Sequence, residues 1–419
     1  MNKLFELTKQ EFAKQRDTLN LIASENYPSP KVLELLGSVW MNKYAEGSPR
    51  KRYYAGNVYV DELEEFVQAK ALEVFDATKG DYGVNVQVLS GSPANGMVYL
   101  AMLEPGDTIL SLKLANGGHL SHLHETSNYN KFFKLVNYDL KDVGEDTFEI
   151  DLDDYKEKLE KAKPKLTIIG FSAYPRAYEF AQMCRLAHEA GSLVLADIAH
   201  INGLVAVGLH DTPFKAGDEG ADFVSMTTHK TMRGSRGAML FAKNEYMETI
   251  NKTIFPGTSG GPHEHQIAAC GQALLEILGE DEYPDKVEFK TYSQNILDNC
   301  KALESGLRAS GLQIISPSQN HLCLTKLPED VDSLEAQKKL EELGIITNRN
   351  MLPFDTKSAW RPSGLRLGTA ALTSRGLTKE QAKQIGELIG NVVAKKVSDK
   401  QVKADVAKLT KSLDWWYKQ

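Results

Sequence analysis

The sequence predicts an α/β fold: a large domain (residues 1–280) built on a mostly parallel sheet, followed by a smaller α+β domain (281–419). Three observations predict it. Short apolar runs of strand length recur along the first half with helical segments between them, the pattern of strands buried on both faces of a sheet. Composition shifts after Gly260-Gly261-Pro262-His263. And 419 residues are too many for one compact core.

The elements follow in order. The first 25 residues read as a helix entering a polar loop. Tyr59–Phe75 carries Leu63, Phe66, Val67, Ala71 and Val74 at helical spacing. Strands are expected at Thr108–Leu114, Leu166–Phe171, Leu193–Ala196, Phe223–Ser225 and Ala238–Phe241, with a helix over Ala177–Ala190. Beyond the composition shift, Ile267–Lys301 reads as helix. Short strands follow at Leu312–Ile315 and His321–Lys326, then a helix over Ser333–Leu343 and a Lys-rich helical tail from Thr378 to Trp416.

Bulk properties exclude several classes. The net charge of -7 and the lack of a long basic block argue against a nucleic-acid partner. Cys184, Cys270, Cys300 and Cys323 are scattered without a C-x-x-C, as expected of thiols in a reducing compartment, so a cytoplasmic location is expected. The N-terminus lacks an apolar core and carries acidic residues, unlike a secretory signal. The most apolar stretch, Leu193–Leu209, contains Asp197, His200 and Asn202, which argues against a membrane span.

The residues with chemical promise cluster at strand ends. Lys230 follows Phe223-Val-Ser-Met-Thr-Thr-His229, just past an apolar strand, where packing explains a lysine poorly. A Schiff-base lysine needs a lowered pKa, which burial and neighbouring cations (Arg233, Arg236) supply. Asp197 ends another strand and is the type of residue that keeps a pyridine nitrogen protonated; it would equally serve as a helix N-cap. The pair raises pyridoxal 5'-phosphate (PLP) chemistry on amino acids as the first hypothesis. Ser90-Gly-Ser-Pro-Ala-Asn95, before a helical stretch, is either a phosphate cup or a plain N-cap. Arg366 is either a carboxylate clamp or half of a surface ion pair. His119, His122 and His124, with His263 and His265 downstream, lack the spacing of a known metal motif, and no metal is assigned. Lys43–Gly47 and Lys51–Gly56 crowd tyrosines, a glutamate and cations into loops, which more often signals function than packing.

Together these segments resemble the serine hydroxymethyltransferases, from about Leu19 to Gly376. The motifs that carry the resemblance are Leu-Ile-Ala-Ser-Glu-Asn26, Tyr-Ala-Glu-Gly47, Lys-Arg-Tyr-Tyr54, Ser-Gly-Ser-Pro-Ala-Asn95, Gly-Gly-His-Leu120, Phe-Ser-Ala-Tyr174, Asp-Ile-Ala-His200, Thr-Thr-His-Lys-Thr231, Phe-Pro-Gly257 and Gly-Leu-Arg-Leu-Gly-Thr369. The resemblance implies a PLP-dependent transferase of fold type I. It further implies reversible conversion of L-serine and tetrahydrofolate to glycine and 5,10-methylenetetrahydrofolate through an external aldimine, a step in one-carbon metabolism and amino-acid biosynthesis.

The resemblance also implies roles. Lys230 would bind PLP covalently, Asp197 would pair with the pyridine nitrogen, His119 would stack on the ring, and His200 would contact its phenolic oxygen. Ser90, Gly91 and Ser92 would hold the phosphate, with Ser172, Thr227 and His229 beside the cofactor. A homodimer with shared sites is implied, in which Tyr44, Gly260 and Gly261 reach across to the phosphate while Glu46 and Tyr54 reach the substrate. Ser24 and Arg366 would grip the amino-acid carboxylate. The pterin would meet Tyr53, Leu114, Gly118, His119, Leu120, Asn350, Ser358, Ala359 and Trp360. The chain departs from the family pattern at Asn116, Met226 and Ser235, in Ser48-Pro-Arg-Lys-Arg52, in Pro256-Gly-Thr-Ser-Gly-Gly261 and in Trp360-Arg361-Pro362. Two other readings stay open: a PLP aldolase cleaving threonine or a 2-methylserine without folate, and a catalytically silent binding protein on the same fold.

Overall fold

The computed structural model describes residues 2–418. The chain forms two compact units. One comprises Pro28–Lys141 and Ile150–Lys290; the other comprises the chain up to Tyr27, Asp142–Glu149 and the chain from Thr291 onward.

In the first unit a seven-stranded sheet is formed by β1 (Tyr82–Asn85), β2 (Thr108–Leu112), β3 (Lys134–Tyr138), β4 (Leu166–Ile169), β5 (Leu193–Asp197), β6 (Phe223–Thr227) and β7 (Ala238–Lys243). Their order is β1-β7-β6-β5-β4-β2-β3. Only β7 runs against the others, pairing antiparallel with β6 and β1. The central strands β4 and β6 are buried throughout, because helices cover a parallel sheet and leave no polar face. Helix α1 (Val58–Val74) lies within a residue of its expected span. Helix α2 (Gly91–Met102) turns Ala94, Met97 and Val98 inward, the spacing of one helical face, into a core shared with Ile109, Ile168, Leu195 and Leu240.

In the second unit β8 (Gln313–Ile315), β9 (Leu322–Lys326), β10 (Asn348–Asn350) and β11 (Gly364–Gly368) form an antiparallel sheet in the order β8-β9-β11-β10. Leu303, Leu307, Leu365, Leu367, Ile385 and Ile389 fill its core. Leu19 and Asn20 pair in parallel with Ile345 and Ile346, so the N-terminal segment belongs to this unit.

Some expected boundaries move. The helical pattern of Ile267–Lys301 is two helices, α3 (Glu264–Leu278) and Phe289–Ala309. Gly279 takes the left-handed conformation that ends α3, φ 72°, which glycine adopts without steric cost. The C-terminal tail also divides, into Lys379–Val393 and Asp399–Ser412. Ser398 caps the second of these by accepting from the Gln401 N–H. Strands β1 and β3 had no clear sequence signal: β1 contains Gly83 and Asn85, and β3 is a half-exposed edge.

Arg375 closes the second unit. It is 1% exposed and donates to the carbonyls of Asp414 (2.9 Å) and Arg16 (2.9 Å) while lying 5.0 Å from the ring centre of Trp415. One side chain thus ties the first helix to the C-terminal tail. Arg375→Ala should lower the stability of the protein by about 3 kcal/mol, because buried carbonyls lose charged donors. Urea unfolding checks this, and the loss should exceed that of an exposed Arg308→Ala control.

Candidate active site

The strand-end residues named from the sequence do gather. Asp197 is the last residue of β5 and Thr227 the last of β6. Ser172 follows β4, and Lys230 lies three residues beyond β6. These strands are parallel, so their carboxyl ends share one edge, where open α/β sheets place ligands.

Asp197 sits in a dense hydrogen-bond network. One carboxylate oxygen accepts from His122 Nε2 (3.0 Å) and Asn95 Nδ2 (2.9 Å), and the other from the Ala199 N–H (3.0 Å). Burial works to raise its pKa. The His122 hydrogen bond and the electrostatic pull of His122, His119 and Lys230 prevail, holding the carboxyl well below the usual range. It is ionised at any physiological pH, as a partner for a protonated pyridine nitrogen must be.

Asn95, 0% exposed, distributes this network. Its amide also donates to Ser121 Oγ (3.0 Å), and its carbonyl accepts from Ser225 Oγ (2.6 Å). Ser121 turns His119: the Ser121 N–H donates to Nδ1 (3.1 Å), with Ser121 Oγ 2.6 Å from the same atom. With Nδ1 accepting there, Nε2 is the ring nitrogen left to carry a proton. His122, Asn95 and Ser121 were not assigned roles from the sequence. The His119-x-x-His122 spacing and the final Asn of the Ser-Gly-Ser motif were the only traces of them.

His119, His122 and Asp197 offer ligand atoms within 4.8 Å of one another. Asp197 already takes three donors there, so the cluster is built as a hydrogen-bonded acceptor site.

Threonines explain the loop that carries Lys230. Thr228 Oγ1 donates to the Ser235 carbonyl (2.6 Å), and Thr231 Oγ1 lies 3.0 Å from the His200 carbonyl and from Asn202 Oδ1. Asn202 Nδ2 donates to the Thr227 carbonyl (2.7 Å). The loop is pinned at both ends, and Lys230 is held 7% exposed, unlike a structural surface lysine. His200 is buried on the neighbouring loop. Burial first, then Arg236 and Lys230, push His229 down to about 3.

The structure offers a cradle for a phosphate. Ser90 caps α2 without spending its hydroxyl on the helix, so the amides of Gly91 and Ser92 open the helix toward an anion. A Cβ on Gly91 would meet Thr227 Cγ2 at 2.7 Å. The loop after β2 carries Leu114, Gly118, His119 and Leu120. Gly117 (φ 110°) anchors it, its carbonyl accepting from the Ser172 N–H (2.8 Å). The departing residue Asn116 is buried and donates to Asp139. Met226 is fully buried in β6, and the Ser235 hydroxyl donates to the Gln266 carbonyl (3.4 Å).

A second group lies elsewhere in the same unit. Tyr44 meets Tyr54 edge to face (5.6 Å), and Tyr53 meets Tyr54 likewise (5.3 Å). A Cβ on Gly260 would stand 3.2 Å from Glu46 Oε1, and one on Gly261 3.1 Å from the Tyr44 ring. Tyr44, Glu46, Gly260 and Gly261 are therefore one cluster, although more than two hundred residues separate its halves.

The second unit carries the remainder. The Gly368 N–H donates to the Leu21 carbonyl (2.8 Å), running the segment that ends in Ser24 beside β11, which bears Arg366. Asn348 Oδ1 accepts from Arg366 Nε (3.1 Å). Burial lowers that guanidinium to about 10, still charged at neutral pH. Asn350 ends β10. Ser358, Ala359 and Trp360 are exposed, with the Arg349 guanidinium 5.9 Å from the centre of the Trp360 ring.

His229→Gln tests the electrostatics. A base whose pKa falls on folding contributes stability that is complete above its ordinary 6.5 and is lost as pH falls toward about 3. Wild type should lose about 1 kcal/mol per pH unit more than the variant across that window, read by urea unfolding at pH 7 and pH 5.

The family model described as serine hydroxymethyltransferase matches residues 1–389. A serine hydroxymethyltransferase from Desulfotalea psychrophila (strain LSv54 / DSM 12343) is 41% identical over 413 residues, covering 98% of this chain and 92% of the relative. With the strand-end lysine and aspartate in place, the chain belongs to the serine hydroxymethyltransferase family of PLP- and tetrahydrofolate-dependent one-carbon transferases.

Proposed function

We propose that Lys230, Asp197, His119, His200 and Glu46 are the working residues with which this chain converts serine and tetrahydrofolate to glycine and methylenetetrahydrofolate. The observation that carries the assignment is Asp197, a buried carboxylate held ionised beside Lys230 at the strand ends. PLP, when bound, supplies an electron sink for the pair left as the Cα–Cβ bond of serine breaks.

The protein's part is positioning and proton handling. Lys230 would hold the cofactor through Nζ, and Asp197 would keep the proton on its ring nitrogen. The opening of α2, with Ser90, Gly91 and Ser92, would hold the phosphate. His119 would present a flat ring for stacking, while Ser172, Thr227, His200 and His229 would line the remaining edge. Ser24 and Arg366 would grip the substrate carboxylate, the guanidinium supplying the fork. Glu46 would handle the proton of the serine hydroxyl. Tyr53, Leu114, Gly118, Leu120, Asn350 and Ser358–Trp360 would receive the pterin.

The active form would be a homodimer, with Tyr44, Glu46, Tyr54, Gly260 and Gly261 serving the partner's site. The support is an apolar surface around them: Val39 is 75% exposed, Met41 60%, Tyr53 80% and Tyr59 71%, side chains that a stable monomer seldom leaves in water together. A cytoplasmic location fits the four buried thiols. No described helix is long and apolar enough to cross a membrane.

Borohydride should fix PLP to the protein and leave a modified peptide containing Lys230; Lys230→Ala should lose that label and serine cleavage. Serine cleavage should accelerate on adding tetrahydrofolate. A rate indifferent to folate would overturn the transferase assignment in favour of a folate-free aldolase. Sedimentation should give a dimer, and an active monomer would refute the shared site.

A further inference from the structure

Glu46 is held in place by side chains that the reaction itself does not use. The Arg52 side chain is 4% exposed, and its Nη1 donates to the carbonyls of Ala45 (2.9 Å) and Gly47 (2.7 Å), which flank Glu46. Its Nε donates to Asp61 (2.8 Å), and its Nη2 lies 2.8 Å from Glu64. Gln87 Nε2 donates both to the Gly47 carbonyl (3.0 Å) and to Glu64 (2.9 Å). The Glu46 carbonyl accepts from the Tyr53 N–H (2.9 Å). The Glu46 loop thus hangs on Arg52 and Gln87.

Behind this clamp lies a second acid. Glu264, the first residue of α3, is 1% exposed, and Glu64 of α1 is 0% exposed. Their helices pack on each other, the two carboxyls interact directly, and neither Glu264 oxygen receives a hydrogen bond from a protein donor. One guanidinium therefore faces three carboxyls: Asp61, Glu64 and Glu264. Two touching carboxyls out of water cannot both ionise, because each desolvated charge raises the other's pKa.

We propose that Glu64 and Glu264 share a single proton, and that this proton is a positioning device for Glu46, keeping the Arg52 guanidinium on the Ala45 and Gly47 carbonyls. Losing it would set a third negative charge beside Arg52, which would compete with both carbonyls for Nη1 and slacken the Glu46 loop. The role rests on the assignment of Glu46 to the substrate hydroxyl.

The surrounding charges agree. Burial first, then the Glu64 charge, push Glu264 up to about 9, and Glu64 is raised chiefly by burial. From the Lys51–Arg52 strand comes Arg52; from α1 come Asp61 and Glu64; on its own side of the fold Glu264 has His263 and His265 as sequence neighbours. The helix Pro30–Leu36, also packed on α3, brings Glu34 and Lys31, the latter paired with Asp281 past the far end of α3. Lys43, beyond the turn Val39–Asn42, donates to the Gly56 carbonyl.

The test compares PLP-loaded wild type, Glu264→Gln and Glu64→Gln. A carboxyl whose pKa rises on folding contributes stability that is complete at acid pH and is lost as pH climbs to about 9. Wild-type Tm should therefore fall with pH through that range, and both variants should flatten the curve. Infrared spectra at neutral pH should show a protonated-carboxyl band that Glu264→Gln removes. The alkaline fall of kcat for folate-dependent serine cleavage should move up by about one pH unit in Glu264→Gln. Parallel Tm curves and no acid band would overturn the shared proton. A flattened Tm curve with an unmoved kcat profile would overturn the positioning role. Glu46→Gln separates the premise: if it retains kcat, the Glu46 assignment fails while the Tm and infrared outcomes still decide the proton.

Discussion

An ionised carboxylate kept out of water at the end of β5 is the constraint on which the site depends. A buried carboxylate is costly unless donors surround it. Asp197 meets that demand with His122, Asn95 and the Ala199 N–H. Each donor imposes a further requirement. Asn95 must come from α2, so the helix whose opening is proposed to hold the phosphate is also locked to the aspartate. Ser225, on the adjacent strand, must orient the Asn95 carbonyl. Gly170 must lack a side chain, because a Cβ there would stand 2.2 Å from the Asp197 carbonyl.

The same physics gives opposite results at two acids of this unit. Asp197 is surrounded by donors and positive charge, and its pKa falls. Glu264 receives no protein donor and faces another carboxyl, and its pKa rises. Burial works against the charge in both; the neighbours decide the sign. One acid thereby holds a fixed negative charge, and the other retains a proton beside the loop that carries Glu46. In the proposed mechanism the first serves the electron sink directly. The second is proposed to act at one remove, through Arg52.

Much of the fold was legible because buried parallel strands are short, apolar and separated by helices. Thr108–Leu112, Leu166–Ile169 and Phe223–Thr227 lie where their apolar runs begin. What escaped was weakly patterned. β1 contains glycine and asparagine, β3 is a half-exposed edge, and the break after α3 depends on the backbone angle of Gly279. Lys230 and Asp197 stood out because a lysine and an aspartate at the ends of apolar strands have poor packing explanations. His122 did not: on the chain it was one histidine in a cluster of three.

By itself the sequence determined the α/β class, the strand-end positions of Lys230 and Asp197, and membership of the family through an ordered set of motifs. These are local or additive signals, carried by periodicity and residue type along the chain. Only the tertiary structure decided which histidine binds Asp197 and that Asn95 links α2 to it. It also decided that Tyr44 and Glu46 lie against Gly260 and Gly261, and that Glu64 and Glu264 touch. Those are contacts between segments distant in sequence, and in each the chemistry depends on desolvation and on a separation of a few ångströms, neither of which residue order encodes.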